Sequence, residues 1–267
     1  PMALASMKLA GAIAFGNSCV FKPSELTPLG FMCFMEFLSE AGLPDGVINM
    51  VNGAGHVTGA AITANEDVDV IAFTGGTETG RIISAEAGRT LKRSVTELGG
   101  KSANIIFADA DFDRALDAAL VAIFSNNGQQ CLAGSRILVE KSIEDKFIKA
   151  FVARTKKLKI GDPMDMSSEI GPLISKAQLD RVGRFAAMAR EHKGIEILTG
   201  GKLAEGFNKG YYFEPTVVRA KDNKQVVCQE EIFGPFATIL SFDTEAEAYA
   251  IANDSKFGLV AYVWSTD

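Results

Sequence analysis

Apolar residues recur along this chain at two spacings, and the two alternate. A helical spacing runs over 2–15 and stops at Gly16; the short apolar run "SCVF" that follows reads as a strand. A second helix is expected over 27–42, with Thr27 as cap, Pro28 at the first helical position and Gly42 as the stop. Strands follow at "GVINMV" and "VDVIAFT", then the helix "ETGRIISAEAG" and the flanking strands "KRSVTEL" and "SANIIFA". Beyond them come a helix capped by Asp111, the strand "SRILVE", and a long helix opened by a Ser142–Asp145 capping pattern. Ser175 with Gln178 and Thr244 with Glu247 open two more helices, and "YYFEPTVV" and "GLVAYVW" are late strands. Strands alternating with helices predict an α/β fold with a largely parallel sheet. The Gly99–Gly100 pair permits a sharp turn and is the expected boundary between parts 1–98 and 99–267.

Composition narrows the partners. At 267 residues, 47% hydrophobic and 22% charged, the chain is ordinary globular protein and can bury a sizeable core. The net charge of −6, with no face-forming run of Lys and Arg, argues against nucleic acid or an anionic membrane as partner. No apolar run approaches the roughly 20 residues that span a bilayer. None of the pairs among Cys19, Cys33, Cys131 and Cys228 has CxxC spacing, so no zinc site and no redox pair is expected. A reducing, cytoplasmic setting fits that cysteine usage. The chain opens on Pro1 inside a helical pattern and stops just after a strand, so it reads as a piece of a longer protein.

The candidate chemistry begins at "NNGQQCLAGS", which sets Cys131 in a Gly- and Gln-rich turn between an apolar helix and an apolar strand. Cys19 and Cys33 sit among apolar neighbours, as structural cysteines do. Cys131 instead follows residues whose backbone N–H groups can activate a thiol and hold an oxyanion, and the structural and functional readings stand level. His56 and His192 are the two histidines, and nothing in the sequence joins either to Cys131, so a helper for it is expected to be a carboxylate. Glu97, in "TELGGKS", closes a strand beside two glycines; it is either an ordinary strand-end residue or a partly buried general base. In "FTGGTETG" a strand, a glycine pair and a helix start make either a plain turn or a phosphate site, without P-loop or G-x-G-x-x-G spacing. "FKPSE" and "QEEIFGP" are either polar loops or ligand contacts at strand ends.

Together, and in this order, "FKPSE", "FTGG", "ELGGKS", "GQQC" and "EEIFGP", with "IGDP", "IGPLIS" and "PTV" between them, resemble the aldehyde dehydrogenase superfamily. The resemblance covers essentially the whole chain. It implies a Rossmann-like NAD-binding portion over 1–98 and an α/β catalytic domain over 99–267. By it, the Cys131 thiolate attacks an aldehyde carbon, and Glu97 activates the water that hydrolyses the resulting thioester. Lys22 and Glu25 match adenosine-ribose contacts, Ser24 between them is a further cofactor-binding position, and the carboxylate of Glu25 would repel a 2′-phosphate, favouring NAD over NADP. Thr74, Gly75 and Gly76 fall where the family binds pyrophosphate, with Gly76 in place of a frequent Ser. Phe233 matches a residue beside the nicotinamide, Glu231 matches its ribose ligand, and Leu98 is a further cofactor-binding position.

The family's chains extend beyond both ends of this one, with an oxyanion-holding Asn before the position of Pro1. The full protein is therefore expected to be a homodimer or homotetramer and the piece itself to fall short in activity. "GQQCLAGSR" is most similar to members acting on carboxylated semialdehydes, including the hydroxymuconic type, and to betaine-aldehyde relatives. A CoA-acylating semialdehyde dehydrogenase is the first alternative, although such relatives typically lack the glutamate matching Glu97. A nucleotide-binding protein that keeps the fold without turnover is the second.

Overall fold

The computed structural model describes residues 2–267; Pro1, placed by the sequence pattern inside the first helix, lies outside the described residues. The chain separates into two compact units, Pro1–Leu98 and Gly99–Asp267.

The first unit carries α1 (Met2–Ala14), β1 (Cys19–Phe21), α2 (Leu29–Glu40), β2 (Ile48–Met50), α3 (Ala60–Ala64), β3 (Val70–Thr74), α4 (Thr77–Arg89) and β4 (Arg93–Glu97). Its strands form two parallel pairs, β1 with β2 and β3 with β4. Ala5 and Leu9 of α1, Phe31 of α2 and Ile48 of β2 make its small core, with the Phe21 and Phe31 rings 4.1 Å apart. Pro28, rather than Thr27, occupies the cap position of α2, and no side chain caps that helix: the first N–H groups turn back to the Pro28 carbonyl instead. The turn Gly55–Gly59 and α3, for which the sequence pattern predicts no element, are helical. Five-residue helices are too short to show a period.

The second unit is built on a six-stranded sheet in the order β10-β5-β6-β9-β8-β7, from β5 (Ala103–Ile106), β6 (Arg136–Glu140), β7 (Ile195–Thr199), β8 (Thr216–Ala220), β9 (Phe236–Phe242) and β10 (Ala261–Trp264). All neighbours are parallel except β7 on β8. Helices α5 (Phe112–Phe124), α6 (Glu144–Thr155), α7 (Lys176–Glu191), α8 (Val226–Gln229) and α9 (Glu245–Asn253) complete it. Two apolar clusters use the sheet: one gathers Leu116, Ile123, Phe147 and Phe151 with Ile137, the other Val182, Phe185 and Phe213 with Leu138. β5 is buried at every position, as a strand covered on both faces must be.

Asp111, Ser175 and Thr244 each accept a backbone N–H at a helix start, as their spacing predicts. Ser142 does not: Ile143 is the cap of α6, and the Ser142 hydroxyl donates to Glu140 across a 3-10 turn. The pattern does not predict β7 and β9, and the strand expected at "YYFEPTVV" begins only at Thr216, past Pro215. No described helix is long and apolar enough to cross a membrane.

Candidate functional site

In the first unit the "FKPSE" residues leave the end of β1. Lys22 Nζ donates to the carbonyls of Pro23 (2.6 Å) and Gly53 (3.1 Å) and lies 3.7 Å from the Glu25 carboxylate. Glu25 accepts the Gly55 N–H at 3.5 Å. Backbone N–H groups of Glu25 itself and of Gly55, then Lys22, hold this exposed carboxyl below its ordinary range. Ser24 is exposed, and its hydroxyl accepts the Leu26 N–H.

The "FTGG" stretch is a strand-to-helix turn. Gly76 caps α4 without a side-chain bond, and a methyl group added there would meet nothing within 4 Å. Gly75 N–H donates to the Glu97 carbonyl at 3.1 Å, and the buried Thr74 Oγ1 has no partner among the described residues. Open N–H groups at a helix start, with an unused hydroxyl before them, favour an anion. Leu98 packs so closely on Gly80 of α4 that any larger residue at Gly80 would overlap it. Glu97 sits at the last position of β4 with its side chain exposed, not partly buried.

In the second unit Cys131 lies just after a backbone that turns left-handed three times: Asn126 (φ 50°), Asn127 (φ 57°) and Gly128 (φ 68°). Asn and Gly tolerate that region best, which is the physical reason for "NNG". The Ala133 N–H then donates to the Gln130 carbonyl at 3.2 Å, closing a tight turn with Cys131 at its head. The Cys131 and Leu132 N–H groups donate to nothing among the described residues. The Tyr262 hydroxyl donates to the Leu132 carbonyl at 2.9 Å; burial first and then charge on Cys131 push that phenol above its ordinary range. Cys131 itself is half-buried. A thiol beside two free N–H donors has what an acyl-transfer nucleophile needs: access, and donors for an oxyanion.

Gly99 and Gly100 run beside this turn. A Cβ on Gly100 would overlap the Cys131 carbonyl oxygen, and one on Gly99 would overlap the Glu231 carboxylate. Gly100 N–H donates to Glu231 Oε1 at 3.1 Å, and Arg181 donates to the Glu231 carbonyl. Burial raises the Glu231 carboxyl above its usual range; the Gly100 N–H, Arg181 and Lys101 each pull it partly back. Phe233, exposed and left-handed at φ 58°, follows it, with its carbonyl accepting from Gln178 Nε2. Lys101 is buried with no hydrogen-bond partner among the described residues, and burial lowers its ammonium to about 8. No group of three or more metal-ligating side chains occurs among the described residues.

The sequence model of the Aldehyde dehydrogenase family matches residues 1–267. The chain belongs to this family. A betaine aldehyde dehydrogenase of Bacillus subtilis is 43% identical over all of this chain and 55% of its own length. A betaine aldehyde dehydrogenase of Staphylococcus aureus, solved in complex with NAD+, superposes with a TM-score of 0.96 at 43% identity, over 100% of this chain and 53% of that one. PnpE from Pseudomonas sp. WBC-3 does so with a TM-score of 0.97 at 45% identity, over 100% and 55%. The chain thus spans about half the length of the curated relatives it matches.

Sequence reasoning assigns no site role to Asn127, Gln129, Arg181 or Tyr262, and reads Gln178 only as part of a helix cap; all five hold the site residues of the second unit in place. Two consecutive asparagines before a glycine were the available signal for the first of them.

Proposed function

We propose that the protein of which this chain forms all or part is an NAD-dependent aldehyde dehydrogenase, with Cys131 as nucleophile and Glu97 as general base. The observation that carries the reading is the Cys131 turn: a half-buried thiol with two unpartnered backbone N–H groups, in a chain of this family. The Cys131 sulfur bonds to the aldehyde carbon, and the Cys131 and Leu132 N–H groups hold the oxygen as it gains charge. NAD, when bound, supplies the nicotinamide that accepts the hydride. The acyl group left on Cys131 is a thioester. Glu97 takes a proton from water as that water attacks the acyl carbon, which frees the acid and returns the Cys131 thiolate, the proton then leaving Glu97 to solvent.

The residues present fit the cofactor. The Gly76 turn offers open N–H groups and unfilled space to a pyrophosphate, and Thr74 lies beside it with an unused hydroxyl. Lys22, Ser24 and Glu25 would contact the adenosine ribose, where the Glu25 carboxylate disfavours a 2′-phosphate. Leu98, Glu231 and Phe233 would serve the nicotinamide end. Residues 1–98 would then be part of an NAD-binding domain and 99–267 the thiol domain. The substrate is an aldehyde carrying a second charged group, a semialdehyde in our reading; betaine aldehyde is the nearest competitor, from the relatives' names. The assembled enzyme is proposed to be a cytoplasmic homodimer or homotetramer.

The test is NADH formation from a carboxylated semialdehyde and from betaine aldehyde, with product analysis in the presence and absence of CoA. A free acid as product, lost in Cys131→Ala, supports the proposal. Undiminished NADH formation in Cys131→Ala would sink it, and a CoA thioester as product would assign the acylating chemistry instead.

A further inference from the structure

The motif "IGPLIS" takes no part in the reaction described above, yet it touches the segment that presents the nucleophile. Asn127 is 9% exposed, and both ends of its amide are used: Oδ1 accepts the Gly171 N–H at 3.0 Å, and Nδ2 donates to the Pro172 carbonyl at 2.8 Å. Two residues on, Gln129 Oε1 accepts the Ile174 N–H at 3.0 Å. Asn126 Nδ2 closes the loop internally by donating to the Gln129 carbonyl at 3.0 Å. The strip 171–174 is itself tied to the rest of the unit at Ile170 and Leu173. Ile170 bridges Ile160 in parallel fashion, Gly161 N–H donates to the Ile170 carbonyl at 2.9 Å, and Leu173 N–H donates to the Tyr211 carbonyl at 2.9 Å. On its other side the loop meets the "FGP" turn, where a Cβ on Gly128 would overlap the Gly234 carbonyl.

We propose that Asn127 and Gln129 are positioning residues whose amides fasten the Cys131 turn to the fixed strip 171–174, so that the thiol and its free N–H donors keep one geometry. The inference rests on Cys131 being the nucleophile. Three left-handed residues in a row are a disfavoured run for L-amino acids, and such runs persist where surrounding contacts over-determine them. Three side-chain bonds, all to backbone groups of one strip, supply that constraint. They act on the turn, four and two residues before Cys131, and not on the substrate. Amides that only fill a hydrogen-bonding need would serve folding equally well from either side of the loop. Here both point from the nucleophile's loop to the same immobile strip, and that common direction favours positioning.

Asn127→Gly keeps a residue suited to the left-handed backbone and removes both amide bonds; Asn127→Asp keeps the acceptor for Gly171. Iodoacetamide is the probe, with the alkylation rate of Cys131 referenced to that of exposed Cys33 in the same molecule by peptide mass spectrometry. The Cys131 rate is expected to fall roughly tenfold in Asn127→Gly, with Asn127→Asp between it and the parent. With an aldehyde that is turned over, kcat falls while the KM values for aldehyde and NAD hold. An unchanged or higher Cys131 rate with a lowered melting temperature overturns the proposal and leaves Asn127 a folding contact. Should Asn127→Gly fail to fold, Gln129→Ala removes the bond to Ile174 and a weaker one from Nε2 to the Asn126 carbonyl at 3.4 Å, and is read the same way. NADH formation persisting in Cys131→Ala would sink the assignment of the nucleophile instead. An inactive Cys131→Ala beside a fully reactive Asn127→Gly sinks only the positioning role.

Discussion

Gly99→Ala isolates the contact between the glycine pair and Glu231. The new methyl group would overlap Oε2 and lie 2.8 Å from Cδ of that carboxylate, closer than real Cβ contacts come. Gly99 has no positive φ, so the backbone itself accepts alanine without strain. The carboxylate must therefore rotate away and give up the 3.1 Å bond from the Gly100 N–H. On the proposed reading the displaced carboxylate also loses its bond to the NAD ribose; a hydrogen bond to a charged group contributes about 1.5–3 kcal/mol, and each 1.4 kcal/mol is a factor of ten, so NAD affinity is expected to fall roughly ten- to a hundredfold. Titration calorimetry with NAD measures it directly. Cys131 alkylation without NAD serves as the control and should hold, because Gly100 and not Gly99 abuts the Cys131 carbonyl. A double-mutant cycle with Glu231→Gln sharpens the test, since two changes acting on one contact are non-additive. If Gly99→Ala cost as much affinity in the Glu231→Gln variant as in the parent, the reasoning would be refuted, as it would by an unchanged NAD affinity.

If Glu231 holds the ribose as proposed, NAD affinity is expected to fall on acidification at a pH above the ordinary carboxylate range, because burial raises its carboxyl and the ionised form is the better acceptor. Affinity that holds flat until the usual range is reached, or a drop that survives Glu231→Gln, would count against that. Among the thiols, buried Cys228, pushed up to about 11 chiefly by burial, is expected to be the last alkylated at neutral pH, after Cys33 and Cys131; early labelling of Cys228 in the folded protein would contradict the packing. Lys101 gives a stability signature of definite sign. Burial lowers its ammonium to about 8 against 10.5 for the free side chain, so between those values the unfolded chain holds more protons and stability rises with pH. The rise amounts to at most about 3 kcal/mol, is opposed between 9.0 and about 11 by Cys228, whose thiol is raised, and should vanish in Lys101→Met when urea midpoints are compared across pH.

Long, strongly periodic elements were the legible part of the fold. α1, α4, α5 and α7 lie where the helical period places them, and Asp111, Ser175 and Thr244 cap as read. The failures have separate causes. β9 follows directly on the Gly234–Pro235 turn and is almost wholly buried, so it shows no alternation of polar and apolar positions to read. Ser142 has the spacing of a capping box, yet its hydroxyl finds the Glu140 carboxylate at 2.7 Å first, a competition that spacing alone does not reveal. Gln178 goes the other way: its backbone N–H donates the predicted cap bond to Ser175 Oγ, while its side-chain amide is drawn off to donate to the carbonyls of Ile232 and Phe233.

That diversion of Gln178 bears on why the site was only half legible. Cys131 and the glycine pair stand out by residue type, whereas Glu231 reads as a loop carboxylate until the family resemblance gives it a role. What holds them is ordinary: Asn127 and Gln129 on 171–174, Gln178 on 232–233, Arg181 on the Glu231 carbonyl. In each case a side chain reaches a backbone group far away in the chain, and any segment can offer a backbone N–H or carbonyl. Such bonds leave no pattern in the partner's sequence, so no reading of residue types finds them. They do leave one at the backbone: "NNG" before Cys131 and "GG" before Lys101 stand where left-handed φ or a close approach excludes most side chains. The chemistry of this site is therefore written in its side chains, and its geometry in the positions where the side chain had to be small or left-handed.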